Sequence, residues 1–163
     1  AVIGSEDQLV PSHNGFDVKQ IEKAYDEMQS GKRFRGGSTI SQQVAKNVFL
    51  WQGRSWFRKG LEAYFTFMIE LIWGKERILE MYLNTSEMGI GVFGIEAASE
   101  YYFNKSAQNL TANEAARIAA ALPNPRKYNV NPPSSYISRR ASNIQRQMRN
   151  IRGSQDLEKL LSQ

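Results

Sequence analysis

A pair of glycines followed by a helix-start signal, at residues 36–47, constrains the fold more than any other stretch of this sequence. Gly36 and Gly37 permit backbone conformations that other residues avoid, and they allow a ligand to approach the backbone closely. Thr39 with Gln42 three residues later predicts a capping box that opens a helix. The positive end of such a helix suits an anion such as a phosphate. A glycine turn before an ordinary structural helix would look much the same, so both interpretations stay open.

The helix that begins here has two distinct predicted faces. Ile40, Val44 and Val48 recur every four residues and predict the buried stripe. The other face is predicted to carry side-chain amides and one ammonium, from Gln42, Gln43, Lys46 and Asn47. Such donors are the groups that would bind an anionic ligand.

Helical spacing of apolar residues predicts an all-α chain. The further predicted helices cover about residues 17–30, 58–73, 75–84, 95–103, 111–122 and 134–150. No run of β-branched residues alternates as in a strand. Gly89, Gly91 and Gly94 have the spacing of a dinucleotide-binding loop, but without a preceding strand they predict a tight turn instead. The basic helix at 134–150 is interpreted as a solvated face.

The predicted helix at residues 58–73 is apolar nearly all round and is therefore expected to be buried on most sides. Its exceptions, at every fourth residue from Arg58 to Glu70, form a polar strip that includes Glu62. A buried acid needs a partner, since an unpaired buried charge is very costly. Glu62 either forms a structural ion pair with Arg58 and Lys59 or is one wall of a functional site, and the spacing alone favours the pair.

Composition narrows the classes of function without choosing among them. The chain has 163 residues, the length of one domain, and a net charge of +5 that favours phosphates, polyanions or an anionic membrane surface. It has no cysteine and one histidine, which excludes disulfides, thiolate metal sites and multi-histidine metal sites. Because the sequence starts within an apolar segment, we expect further chain upstream.

Aromatic and basic residues alternate between Trp51 and Lys59. This pattern fits a membrane interface, where indole rings lie at the level of the headgroups and cations meet lipid phosphates. It also fits single-stranded nucleic acid, where bases stack on aromatic side chains. A solvated loop anchored by its tryptophans is the third interpretation.

Several motifs occur in order and together resemble one family. They are Glu6-Asp7 followed by His13-x-Gly15-x-Asp17, the stretch at 36–47, Arg58-Lys59-x-x-Glu62, and Arg77-Ile-Leu-Glu-Met-Tyr-Leu-Asn84, with further matches at 94–98, 102–105 and 121–125. In this combination they resemble the peptidoglycan glycosyltransferase family, shared by monofunctional transglycosylases and bifunctional penicillin-binding proteins. The resemblance covers residues 1 to about 133. With only one domain's length present, the chain looks like the monofunctional, Gram-negative type.

The resemblance implies a fold and an activity. It implies a single domain over residues 1–163, with a lysozyme-like all-α lobe and a smaller, membrane-associated jaw lobe at about residues 31–60. It also implies polymerisation of lipid II into β-1,4-linked glycan strands, with inversion and release of undecaprenyl diphosphate, and sensitivity to moenomycin. The expected location is the periplasmic face of the cytoplasmic (inner) membrane, with one transmembrane helix upstream of Ala1. The expected partners are lipid II, the growing glycan strand, the membrane surface and cell-wall synthesis or division proteins, and nucleic acid is not expected.

The family's motifs also imply roles for individual residues. Glu6 matches the general base that removes a proton from the acceptor sugar hydroxyl. Glu62 matches a second acidic site residue that orients the basic groups or a divalent metal, Mg²⁺ or Mn²⁺, which replaces the structural interpretation; no organic cofactor is implied. Asp7 is expected to support its loop rather than the chemistry. The implied substrate-binding residues, most of them at the diphosphate, are Gly37, Ser38, Thr39, Gln42, Gln43, Lys46, Arg54, Arg58, Lys59 and Asn84.

Two departures and two rival functions accompany this assignment. Val10 replaces a usual Phe, and residues 128–132 vary the family's Tyr-Asn-Pro, which leaves the role of their asparagines open. A lysozyme-like hydrolase or lytic transglycosylase needs a proton donor to a sugar leaving group and has little use for a diphosphate cluster. A non-catalytic membrane- or glycan-binding module would tolerate the substitution Glu6→Gln.

Overall fold

The computed structural model of the chain describes residues 1–7, 15, 38–51, 53 and 55–153. In these ranges the chain forms seven α-helices. They are α1 (Val2–Glu6), α2 (Ile40–Phe49), α3 (Trp56–Ile72), α4 (Lys75–Thr85), α5 (Ile95–Phe103), α6 (Ala112–Ala121) and α7 (Ser135–Ile151). A short 3₁₀ turn lies at Ala107–Asn109. The prediction of a mainly helical chain is confirmed, and the helix predicted at 17–30 lies outside the described residues.

Side-chain caps fix where the helices begin. At α2 the hydroxyl of Thr39 accepts from the Gln42 N–H, and the Gln42 side chain accepts from the Thr39 N–H, so the predicted capping box is formed. The same reciprocal pair, Thr111 with Glu114, opens α6. Such caps bond N–H groups that have no partner within the helix, which is why these sequence signals place a helix start accurately.

A two-stranded antiparallel hairpin follows α4, so the expectation of a chain without strands is wrong at this point. Its strands are β1 (Glu87–Gly89) and β2 (Val92–Phe93). Strands this short are too brief to show alternating hydrophobicity, which explains the miss. The tight turn predicted from the glycines is confirmed, because Gly91 has φ +70° and Gly94 has φ +84°.

Two clusters of buried side chains form the core. In the first, the alanine-rich α6 packs against α7, and the small side chains allow the two helices to approach closely. The second is built around Ile40 and Val44 of α2, with Ile69 from α3 and Ile78 and Tyr82 from α4. The stripe predicted on α2 is therefore buried as expected at Ile40 and Val44, while Val48 is partly buried.

The α3 helix is not buried on most sides, contrary to the prediction. Its inward face is the polar strip, where Glu62 is 5% exposed and Thr66 is fully buried. Large apolar side chains point away from the domain and form the α3 apolar surface: Trp56, Phe57, Tyr64, Phe67, Leu71 and Ile72. Apolar character shows that a side chain avoids water but does not show what covers it, so the sequence could not decide this point.

One asparagine of the loop at residues 128–132 has a structural role. The Asn131 side chain donates to the Tyr102 carbonyl at 2.7 Å and accepts from Arg117 at 2.9 Å. Arg117 also donates to the Val130 carbonyl and lies over the Phe103 ring. This network connects the loop to α5 and α6.

Candidate active site

Glu6, the predicted general base, is the last residue of α1. The Ser5 hydroxyl donates to its Oε1 at 2.8 Å, and Arg140 of α7 lies 3.7 Å from the same oxygen. The Glu6 side chain is 14% exposed. Among the described residues, Oε1 is held by Ser5 and Arg140, and Oε2 has no hydrogen-bond partner.

A buried tyrosine lies beside Glu6. Tyr82 of α4 is 1% exposed, and its hydroxyl donates to the side-chain oxygen of Gln43 at 3.3 Å. Burial raises the pKa of the Tyr82 hydroxyl, and the negative charge of Glu6 raises this pKa further. The hydroxyl therefore stays protonated and keeps its role as a donor. Tyr82 stands in a motif quoted from the sequence, but its spacing indicated only an inward-facing core residue.

The Glu6 segment also supports the start of α2. The Asp7 carboxylate accepts from the Ile40 N–H at 3.1 Å, and the Thr39 hydroxyl donates to the Gly15 carbonyl at 2.6 Å. Gly15 has φ +84°, and a Cβ there would lie only 2.8 Å from the Glu70 Cγ of α3. Asp7 thus acts on structure, in line with the expected supporting role. Gly15 is a glycine because of both its backbone conformation and its close packing.

The N-terminus of α2 is less open to an anion than the sequence suggested. Asp7 already accepts from the Ile40 N–H, and Thr39 accepts from the Gln42 N–H. Gln42 is buried, with 8% exposure, and its amide oxygen is used in the capping box. Two of the backbone N–H groups at this end are therefore already bonded within the protein.

The other α2 residues predicted to bind substrate are Gln43 and Lys46, and both are partly buried. Gln43 donates to the Ser38 carbonyl at 3.3 Å, and Ser38 itself is exposed. Lys46 is partly buried and has no carboxylate partner among the described residues. Gly37 and Arg54 lie outside the described residues. Asn84, at the end of α4, is exposed, and no hydrogen bond within the described ranges links its side chain to Glu6 or Glu62.

Glu62 lies in a second cluster, at the start of α3. Lys59 contacts the Glu62 carboxylate at 2.5 Å, and Arg58 approaches it at 3.9 Å. Arg58 is 13% exposed and donates to the Gly53 carbonyl at 2.7 Å. Its Nη1 is buried and has no hydrogen-bond partner in the part of the chain that the structure describes. The two cations and the single carboxylate leave one excess positive charge. Glu62 forms an ion pair and also lines a cavity. The geometry is therefore compatible with both interpretations, a structural ion pair and one wall of a functional site.

These residues surround a cavity of about 370 Å³. Its walls are formed by Gly53, Ser55, Trp56, Arg58, Lys59 and Glu62. A low-dielectric wall strengthens the attraction of a cation for a bound anion, and an unpartnered guanidinium nitrogen provides a donor for one. The cavity is therefore suited to an anionic group such as a diphosphate.

A carboxylate with one free oxygen can accept a proton, and a cationic cavity can bind an anionic leaving group. Together they define the domain as a candidate group-transfer enzyme. The chain belongs to the transglycosylase family, whose family model matches residues 1–149. This match confirms the resemblance predicted from the ordered motifs.

Curated relatives carry a more specific description. A protein of Chromohalobacter salexigens described as a biosynthetic peptidoglycan transglycosylase is 60% identical over 160 residues, covering 98% of this chain and 68% of the relative. Proteins with the same description from Xanthomonas campestris pv. campestris and Shewanella oneidensis are 57% and 56% identical. They align with 94% and 93% of this chain and with 62% and 65% of their own lengths. The chain thus spans about two thirds of the length of these relatives.

Proposed function

We propose that this chain is the catalytic domain of a peptidoglycan glycosyltransferase that polymerises lipid II into β-1,4-linked glycan strands. The observation that carries the proposal is the cationic cavity at Arg58, Lys59 and Glu62 within a transglycosylase-family domain. A sugar donor activated by a lipid diphosphate releases a strongly anionic group, for which this cavity has the matching charge. The description shared by the relatives supports the same activity.

In the proposed reaction, Glu6 accepts the proton of the acceptor sugar hydroxyl as that oxygen attacks the anomeric carbon of the donor. A hydroxyl is a poor nucleophile at neutral pH, so the reaction needs a base within hydrogen-bond reach. The bond from the anomeric carbon to the donor's diphosphate breaks in the same step. One displacement inverts an α-linked donor to a β product, so no covalent glycosyl-enzyme intermediate is involved.

The leaving undecaprenyl diphosphate needs positive charge and donors where its negative charge grows. Arg58 and Lys59 line the cavity, and Lys46 is a further cation without a carboxylate partner in the described ranges. We assign the diphosphate to these three residues and to Arg54, with contributions from Gly37, Ser38, Thr39, Gln42 and Gln43. Asn84 is retained as a substrate-binding residue on the motif alone.

The surroundings of Glu62 fit a residue that orients nearby cations better than a residue that binds a metal ion. Its carboxylate is already engaged by Lys59 and approached by Arg58. Within the described residues, no group of three His, Cys, Asp or Glu side chains is arranged to hold a metal ion. The donors in the described ranges therefore do not fit a metal held by protein ligands alone, and the proposed step uses none. Dependence on Mg²⁺ or Mn²⁺ stays a prediction, to be tested with a chelator.

The α3 apolar surface supports contact with a membrane and with the prenyl tail of the substrate. Trp56 is 93% exposed, and Phe57, Leu71 and Ile72 are 66–71% exposed. Arginine and lysine at the start of the same helix would meet lipid phosphates. The surface extends to Ile72, beyond the jaw lobe predicted at about residues 31–60. Within the described ranges, no helix combines the length and apolar character needed to cross a bilayer.

The proposed location is the periplasmic face of the cytoplasmic membrane, because lipid II and the growing strand are used there. Full-length anchoring by an upstream transmembrane helix, partnership with cell-wall synthesis or division proteins, and inhibition by moenomycin belong to the same proposal.

The test is incubation of the purified chain with labelled lipid II in detergent, followed by gel separation of the products. We expect a polymer that lysozyme degrades. Glu6→Gln should abolish polymerisation, since the amide cannot take up the proton, while the matched control Glu76→Gln, at an exposed position of α4, should leave it intact.

The results also separate the rival functions. Cleavage of preformed glycan strands without polymerisation would support a hydrolase or lytic transglycosylase. Polymer formation by Glu6→Gln at the wild-type rate would overturn the mechanism. Binding of lipid II without any product from the wild type or the control would favour a binding module.

A further inference from the structure

The short helix that carries Glu6 is held in place by α7. A Cβ added to Gly4 would lie 3.5 Å from the Gln147 Cβ and 3.7 Å from the Met148 N, so the two helices approach closely. On the α7 side, Ile137, Ala141 and Ile144 are buried. A helix of five residues is not stable by itself, so the position of Glu6 depends on this packing.

One arginine of α7 reaches the candidate base. Arg140 Nη2 lies 3.7 Å from Glu6 Oε1, the oxygen that also accepts from the Ser5 hydroxyl. The Arg140 side chain is 32% exposed, and its buried Nε has no hydrogen-bond partner within the described ranges. The neighbouring Arg139 is exposed and has no carboxylate partner in the described ranges. The solvated face predicted for this helix therefore includes Arg139 but not Arg140.

We propose that Arg140 is a positioning residue for the general base, an inference that rests on the role proposed for Glu6. Arg140 and Ser5 both engage Oε1 and thereby limit the rotation of the carboxylate. Oε2, which has no partner among the described residues, is then directed to the acceptor hydroxyl. The Nε, which has no hydrogen-bond partner among the described residues, gives the guanidinium a second donor for this carboxylate.

The distance of 3.7 Å is that of an ion pair rather than of a hydrogen bond. Catalytic contacts are often longer without substrate and shorten when the substrate binds. The planar guanidinium can then form two parallel hydrogen bonds with a carboxylate, which the point charge of a lysine cannot do. The positive charge of residue 140 therefore provides part of the positioning of Glu6, and the planar geometry of the arginine provides the rest.

The experiment compares steady-state polymerisation of lipid II by wild type, Arg140→Gln, Arg140→Lys and the matched control Arg139→Gln. We expect Arg140→Gln to lower kcat by about 10- to 100-fold with KM for lipid II changed by less than about twofold, since a misplaced base slows the chemical step without loss of binding. Arg140→Lys should recover part of kcat. Arg139→Gln should match the wild type, and thermal unfolding of each variant measures its folded fraction.

Several results would overturn the inference. Equal kcat for Arg140→Gln and Arg139→Gln would do so, as would a loss of kcat that only follows the loss of folded protein. If Arg140→Gln does not fold, the inference is tested with Arg140→Lys instead. A wild-type kcat in Arg140→Lys would overturn the inference, because the geometry of the arginine would then not be needed.

Glu6→Gln separates this inference from the proposed function. An active Glu6→Gln protein refutes the base and the inference together. An inactive Glu6→Gln protein beside a fully active Arg140→Gln protein refutes the inference alone.

Discussion

Replacing Gly89 with alanine tests whether the glycines at 89–94 serve the fold rather than a ligand. A Cβ at Gly89 would overlap the Tyr102 hydroxyl and would lie 3.3 Å from the Val92 Cβ. That hydroxyl donates to the carbonyl of the fully buried Met88 at 3.1 Å. The added methyl group must therefore displace the tyrosine and break its hydrogen bond.

The expected cost combines two effects. Loss of the hydrogen bond to the buried carbonyl costs about 1 kcal/mol or more, and the overpacked methyl group costs about 1–3 kcal/mol. We therefore expect Gly89→Ala to lower the free energy of unfolding by about 2–4 kcal/mol. The melting temperature should fall by about 2–4 °C for each kcal/mol of this loss. Thermal and urea unfolding followed by circular dichroism measure both quantities.

A double-mutant cycle with Tyr102→Phe tests the cause. The phenylalanine lacks the overlapping oxygen, so Gly89→Ala should cost at least about 1 kcal/mol less in that background. The control is Gly60→Ala in α3, where nothing lies within 4 Å of the added Cβ. Alanine in a helix interior should stabilise the protein there by up to about 1 kcal/mol. If the losses of unfolding free energy caused by Gly89→Ala and Tyr102→Phe add within about 0.5 kcal/mol in the double variant, the proposed overlap is refuted.

Two further predictions concern metal dependence and the membrane. If Glu62 orients cations, the ratio of polymerisation rates with and without a chelator should be the same in wild type and in Glu62→Gln, whereas a chelator effect found only in wild type would mean that Glu62 binds the metal. The double substitution Phe67→Ser and Leu71→Ser should weaken sedimentation with phosphatidylglycerol vesicles by about tenfold or more, since each side chain loses about 1.5–3 kcal/mol of burial. Ile90→Ser, at a hairpin position that is even more exposed, should bind vesicles like the wild type, and equal losses in both proteins would argue against a specific α3 surface.

Local signals in the sequence determined where most of the helices begin and end. The capping box predicted from Thr39 and Gln42 is formed, and the same sequence pattern, Thr111 with Glu114, forms a second one. The helix predicted at 95–103 is α5, with the same bounds. These features depend on residues a few positions apart, so the chain specifies them before any tertiary contact exists. The ordered motifs likewise identified the family, since each is a pattern of neighbouring residues.

Only the tertiary structure decided which surfaces and charges meet. It left the apolar face of α3 exposed, whereas the sequence predicted a helix buried on most sides. It brought Arg140 to Glu6 and Tyr82 to Gln43 across many residues of sequence. Hydrophobicity and charge are properties of single side chains, whereas burial and ion pairing depend on which distant element packs against them. The sequence therefore named the candidate base and the cationic residues, and the packing of α1 against α7 determined what surrounds that base.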